Sequence, residues 1–518
     1  MTRLRVRRRA GWSSVFLLAA LLAAGTVLLT AGPAGASGTV TCPPDNGTDV
    51  QNAINGGGTV TINGTCHGNF DVATSVTIQG GSPGATLNGD ANGPVLTIHN
   101  GAFVTIRNLI ITNGASCFGG GLDIYQNGTT VNLFNTTVTG NSSCDEGGGI
   151  AMEDFSTLNL TASKVTNNTA AFQGGGIAAF CCARVTLTNS TVSGNTAGTN
   201  GGGIAVDDTY LAMTGTTVDH NTATNDFGED AHGGGVYVDF SVMYATASTF
   251  ASNRSSSFDF GEPSGDAGGI RGLSSNIELV ASRVLGNLAN DDGGGILFQD
   301  QCGQFCLETA PINRAVNKAF PNPFDVPVGL TLDGTTVDHN QAVSGSGGGI
   351  ANDAVGNDSP VTLMNSTVSN NVTLDTSTFG ESGGAGISQH TEEGNTASLT
   401  TANVNIFGNR SGSVGGGIAN FGFGGVATVS TGQTTNFQSP NALQVGNQAK
   451  FGGGVYNAGL DASVSLNAGT KMARNKATIN GGGVFNDCGG SLFVAPGVVL
   501  LANYPNNVFT NVGGCILP

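Results

Sequence analysis

The carboxylates are the side chains in this chain whose spacing most invites chemistry. Asp207 and Asp239 each fall three residues after the apolar residue that closes a Gly-Gly-Gly-Ile or Gly-Gly-Gly-Val phrase, and Glu153 does the same earlier in the chain. Asp154 and Asp208 follow directly, and Asp145, Glu146, Asp226, Glu229, Asp230, Asp266, Asp291, Asp292 and Asp300 crowd the same phrases. Such a sector has three readings. It is a solvated, solubilising face, a place for hard cations that take several carboxylate oxygens, or a set of paired carboxyls acting on polysaccharide. For the second, Ca²⁺ is the candidate cofactor and Asp226, Glu229, Asp230 and Asp266 the candidate ligands. No Asp-x-Asp-x-Asp-Gly loop or calcium-binding nonapeptide repeat accompanies them, and nothing requires a cofactor. For the third, a lyase needs a cationic group beside the acids. Arg271 is the one basic residue on the glycine-bearing strands, so the catalytic candidates are Asp207, Asp239 and Arg271. Sugars also stack on rings. The candidate binding face is therefore Glu153, Asp154, Asp207, Asp208, Tyr237, Asp239, Phe298 and Asp300. His232 and His390 lie near the acids, but no nucleophile, base and orienting acid are spaced as a triad.

Those residues are placed by a repeat. Gly-Gly-Gly-Ile recurs at 147–150, 174–177, 201–204, 293–296, 347–350 and 415–418, with Val or Leu variants at 119–122, 233–236, 452–455 and 481–484. A fixed period in the twenties, with glycines and β-branched residues, marks a solenoid. Between copies lies an apolar pair such as Val185/Leu187. Five residues on from its second member comes a third apolar position, here Val192, and three further on an Asn, here Asn195. Three strands per coil are expected, filling a core with Ile, Leu and Val columns. The Asn column, Asn113 to Asn503, is expected to form an amide ladder at a corner, using the tolerance of Asn for left-handed backbone. About 14–16 coils follow. Thr48–Asn55 reads as a short helix covering the first coil, with Thr48 or Asp49 as its N-cap.

The first 36 residues read as a signal peptide: Arg3, Arg5, Arg7, Arg8 and Arg9, an apolar run over Val15–Leu29, then Ala34-Gly-Ala36. The expected organisation is 1–36 signal peptide, 37–114 cap and entry coils, and 115–518 repeat β-helix continuous with them, with a loop insertion around 300–328. Loss of the leader's five arginines takes the formal charge from −17 to −22. That excludes nucleic acid and anionic membrane as partners. No later apolar run reaches membrane-span length. The expected product is a secreted or cell-surface-associated monomer.

Ten cysteines in an exported chain imply disulfides. Cys117/Cys144 and Cys488/Cys515 are each 27 apart, which sets them on adjacent coils within bridging reach. Cys42/Cys66 and Cys302/Cys306 are the other candidate pairs. For the adjacent Cys181 and Cys182, a bridge and thiols are both open.

Gly-Gly-Gly-Ile alternating with Val-x-x-Asn, and with Phe250-x-x-Asn253, resembles the repeats of bacterial polymorphic outer membrane proteins over about residues 107–503. The resemblance implies a right-handed parallel β-helix of the pectin-lyase-like type, often surface-exposed and adhesive. It departs in lacking a C-terminal autotransporter barrel. Two functions stay open: a structural, adhesive or glycan-binding protein whose partners are extracellular glycans or cell-surface components, and a polysaccharide lyase or glycoside hydrolase using the acidic face.

Overall fold

The structure is a computed structural model. It describes residues 37–511 except 45, 82, 225–230, 257, 260–261, 264, 301–326, 377–381, 392–393, 433 and 439–445. The candidate signal peptide, Asp226, Glu229, Asp230, Cys302, Cys306 and Cys515 lie outside the described residues.

The chain is a parallel β-helix. The strand that follows each glycine phrase stacks on its equivalent in a 15-stranded sheet, which fits the expected coil number. The second and third strands of the coils belong to a 30-stranded sheet. A fourth, short strand of two to five residues, such as Thr169–Ala170 or Thr196–Ala197, adds a 12-stranded sheet that the apolar pattern did not announce. These strands are too short to show alternation. Coil stacks on coil in register, for example Leu158 on Val185 and Leu160 on Leu187. The Ile, Leu and Val columns are fully buried, each such side chain contributing roughly 1.5–3 kcal/mol of burial.

The corners work differently from expectation in one respect. Ladder Asn residues do not take the left-handed conformation; the residue before them does, as at Gly140, Asn167, Gly194, His220 and His339, with Gly446 the exception among the described residues. That turn frees the Asn side chain to lie along the axis. Asn141 donates its backbone N–H and its Nδ2 to Asn168 Oδ1, both at 3.0 Å, and Asn168 Nδ2 also donates to Val138 O at 3.1 Å. The pattern repeats down to Asn475 and Asn503. Asn113 is outside the ladder: it is itself left-handed, and Gly114 N–H donates to Asn141 Oδ1 instead.

The glycine triplet has two jobs. Its first member is left-handed, φ 64° at Gly147 and Gly174. Its third is held close to the next coil: a Cβ on Gly149 would lie 2.6 Å from Gly176 O and 2.9 Å from Asn168 Nδ2. The ladder and the triplet are therefore one packing unit.

At the N-terminal end the helix spans Gly47–Asn55 and its N-cap is Asn46, not Thr48 or Asp49. Asn46 Oδ1 accepts from Thr48 N–H and Asp49 N–H, and Asp49 Oδ2 accepts from Asn46 N–H, a capping box. Val50 and Ile54 on the helix join the core. A strand at Gly38–Cys42, not anticipated, pairs with Val60–Gly64. Cys42–Cys66 and Cys117–Cys144 are disulfides with Cα–Cα distances of 5.1 and 4.4 Å. Cys488 is also disulfide-bonded. Cys181 and Cys182 carry thiols.

Candidate functional site

Strand alternation on the glycine-following sheet sends one residue inward and the next outward. The residue three after the closing Ile, Val or Leu points away from the core, so stacking makes a column along the axis: His99, Tyr125, Glu153, Phe180, Asp207, Asp239, Leu273, Gln299, Asp353 and His390, continued by Phe421, Ala458 and Asp487, which are buried. Register confirms its continuity from Asp207 to Asp239, Leu273, Gln299, Asp353 and His390. Its upper end is aromatic: the His99 and Tyr125 rings stack at 5.2 Å with their planes 4° apart. The residue one after the Ile also points outward, forming a second column with Asp123, Ala205, Tyr237, Arg271 and Leu297.

This geometry sorts the sequence candidates. Glu153, Asp207 and Asp239 share the first column. Asp154 and Asp208 sit one residue further on, in left-handed turns that line its edge. Tyr237 is in the second column and donates its hydroxyl to Asp239 Oδ2 at 3.3 Å. Two candidates do not belong to the face. Phe298 falls on the inward parity and is fully buried in the core. Asp300 is 3 % exposed and accepts a hydrogen bond from Ser274 Oγ at 2.8 Å. Both are corrections with one cause, the alternation of the strand.

The carboxyls of the face are held in more neutral surroundings than a free surface offers. Asp239 is pushed up to about 7, by burial first and then by Asp207 beside it; Arg271 and bonds from Tyr237 and the Phe240 N–H pull the other way. Burial with the charges of Asp145, Glu153 and Asp207 raises Glu146 to about 7. Burial and Glu153 raise Asp123 to about 6. Burial and Asp207 raise Asp208 to about 6. Glu153 and Asp207 are raised too, chiefly by burial. Desolvation and mutual repulsion of this kind is how carboxyls are brought to titrate near neutrality. Cys182 lies against this edge, its Sγ 3.8 Å from Asp208 Oδ2, and burial and that carboxylate push its thiol up to about 12.

Arg271 occupies the middle. It is 4 % exposed, and its Nη2 donates to Gln299 Oε1. His232 lies nearby, its ring facing Tyr237 at 6.5 Å and its Nδ1 3.4 Å from Asp266 Oδ2. Burial and Arg271 lower His232 to about 3, so its imidazole is neutral. Asp266, Asp291 and Asp292 each bring one carboxylate oxygen within 4.8 Å of the others. These three could hold a divalent cation, an oxygen-only set of the type Ca²⁺ takes. Asp291, Asp292, Ser346, Asp353 and His390 line a cavity of about 290 Å³ beside them. Of the four sequence candidates for Ca²⁺, Asp266 alone is among the described residues. The sequence reading missed Asp291 and Asp292 as its partners, and missed Gln299. The same three-residue offset that found Asp207 and Asp239 would have found Gln299, since it follows Ile296 by three.

No protein-family model matches the chain, and no curated protein matches it. The likeness to polymorphic outer membrane protein repeats therefore remains one of motif. Among solved structures, tailspike protein 3 of bacteriophage CBA120 aligns with a TM-score of 0.34 and 12 % identity over 90 % of this chain and 58 % of that one. The A-module of an Azotobacter vinelandii mannuronan C-5 epimerase aligns with a TM-score of 0.28 and 14 % identity over 87 % of this chain and 94 % of that one. The chain spans only 58 % of the tailspike's length, and at these scores neither likeness bears on function. Among the described residues no helix is long and apolar enough to cross a membrane.

Proposed function

We propose that the protein is a secreted or surface-associated β-helix that binds extracellular glycans along its outward carboxyl column. The mature chain from residue 37 acts as one continuous monomeric domain, 37–114 serving as cap and entry coils. The observation that carries the reading is the composition of that column. Rings at His99, Tyr125 and Phe180 share the axis with carboxyls at Glu153, Asp207 and Asp239. Ring faces for stacking and carboxyls for hydroxyls are what a polysaccharide laid along the axis requires. Strands repeat every ~4.8 Å, so successive sugar units meet successive coils. A Ca²⁺ ion held by Asp266, Asp291 and Asp292 would add a further oxygen-binding point beside Arg271.

One observation favours a second reading, a polysaccharide lyase or glycoside hydrolase. Asp239 is raised to about 7 by burial and by Asp207 beside it, so this carboxyl exchanges its proton near neutrality. A carboxyl tuned in that way is what general acid–base catalysis uses. The deciding experiment screens the protein for binding on a glycan array and for depolymerisation of neutral and acidic polysaccharides, with and without Ca²⁺. Asp207→Asn and Asp239→Asn are run beside it. Binding without chain cleavage supports the first reading. Cleavage abolished by either substitution establishes the second. Neither binding nor cleavage across the panel refutes both.

A further inference from the structure

We propose that Arg271 is a receptor for the oxyanion of an acidic sugar, so that the glycan taken by the column carries carboxylate groups. The inference rests on the glycan-binding reading and narrows its ligand class.

Arg271 is a buried cation without its usual company. Among the described residues its Nε and Nη1 find no hydrogen-bond partner. Among the described residues, no carboxylate lies at ion-pairing distance from the guanidinium. A buried charge ordinarily finds a counter-ion and fills its donors, because leaving them empty costs more than the pairing returns. The candidates for that role stand off: Asp239 and Asp266 act on Arg271 only through the field. Its one bond goes to the neutral amide of Gln299. Gln299 is half-buried in the outward column and neutral, so a ligand that takes its place on Nη2 strands no charge.

The neighbouring acceptor is unfilled as well. Asp239 Oδ1 is buried with no partner, although Oδ2 takes the Tyr237 hydroxyl. Orphaned donors on one strand and an orphaned acceptor on the next ask for a ligand with both an anion and a hydroxyl. A sugar acid has both. Its carboxylate meets Nε and, once Gln299 moves, Nη2, the side-on pair that matches two oxygens. A ring hydroxyl donates to Asp239 Oδ1. A neutral sugar would fill Asp239 and leave Arg271 empty. A sulfated sugar shares the anion chemistry but not the planar fit.

The test measures binding of three oligosaccharide probes of equal length: an oligogalacturonide, a sulfated oligosaccharide and a neutral cello-oligosaccharide. Wild type, Arg271→Gln and Arg271→Lys are compared by calorimetry. The expected result is a preference of wild type for the oligogalacturonide that Arg271→Gln lowers by about thirty-fold or more, the usual scale for truncating one side of a buried charge contact. Neutral-probe affinity should be unchanged, and Arg271→Lys should fall between. A wild type that prefers the neutral probe, or an Arg271→Gln variant that keeps the acidic preference, overturns this inference and leaves the glycan-binding reading standing. Preference for the sulfated probe, lost in Arg271→Gln, supports the oxyanion receptor but overturns the carboxylate assignment. Absence of binding to all three refutes both. If Arg271→Gln does not fold, the Arg271 Nε–H resonance of wild type is followed while glucuronate is added. A saturable shift supports the site, and an unmoved resonance refutes it.

Discussion

Replacing Asp239 by Asn separates the electrostatic cost of the carboxyl column from its shape. Asn matches the protonated acid in size and can still accept the Tyr237 hydroxyl. In the folded chain Asp239 titrates near 7, against an ordinary value of 3.8, because burial and Asp207 on the preceding strand disfavour its charge; Arg271 on the following strand and the bonds from Tyr237 and Phe240 N–H only partly compensate. A carboxyl whose folded pKa is raised keeps a proton that the unfolded chain has already lost, so its contribution to stability falls as pH rises from about 4 to about 7. Roughly three pH units at about 1.36 kcal/mol each set an upper figure of about 4 kcal/mol. Water at a half-buried group reduces that to about 2 kcal/mol. Asp239→Asn is therefore expected to leave stability unchanged at pH 4 and to raise it by about 2 kcal/mol at pH 8. Urea unfolding of both proteins at the two pH values measures it. An equal gain at both, or a loss at pH 8, refutes the account of a carboxyl held against its preference.

Three other substitutions probe the frame. Asn253→Ala removes the acceptor of Asn221 N–H and Nδ2 and the donor to Val218 O; leaving these buried groups unfilled should cost about 2–4 kcal/mol, read as a lower urea midpoint and lost amide-exchange protection in the flanking coils. Gly235→Ala puts a Cβ 2.6 Å from Gly269 O and 2.8 Å from Asn253 Nδ2, so it should destabilise by more than about 3 kcal/mol, visible as a collapse in soluble yield or thermal midpoint. Asn46→Ala removes the helix cap and should cost about 1 kcal/mol, with a small drop in midpoint and faster proteolysis at the N-terminal end.

The repeat made the frame readable because a stacked coil cannot change one position without answering in the coils above and below. Ile150, Ile177 and Ile204 announce their column by recurring, and Asn168 and Asn195 announce theirs. The left-handed residue before each Asn was harder to see, because Gly, Asn, His and Ser all fill it and no single type recurs. The site was legible in part for the same reason. Asp207, Asp239 and Arg271 stand at fixed offsets from the glycines. Phe298 could have been set aside by parity, since it lies two residues from Ile296 and faces the core. His232 and Asp266 also share an offset, each four residues before the closing apolar residue and paired across coils, but insertions of unequal length before them, within 222–232 and 254–267, masked it. Only the fold brings them against Tyr237 and Arg271.

The ladder has a consequence for how such a chain can change. Each Asn meets its neighbour through the same bonds, so every coil presents to the next a contact that does not depend on which coil it is. Asn168 and Asn195 are one period of 27 residues apart. Excising residues 169–195 would join Asn168 to Thr196 with every column still matched, and the Tyr237–Arg271 region would move one strand spacing, ~4.8 Å, toward the helix cap. Cross-section is rigidly specified in this molecule while length is not. Whole coils can be gained or lost by duplication and deletion, carrying the binding column with them, at no cost to the contacts that hold the remainder together.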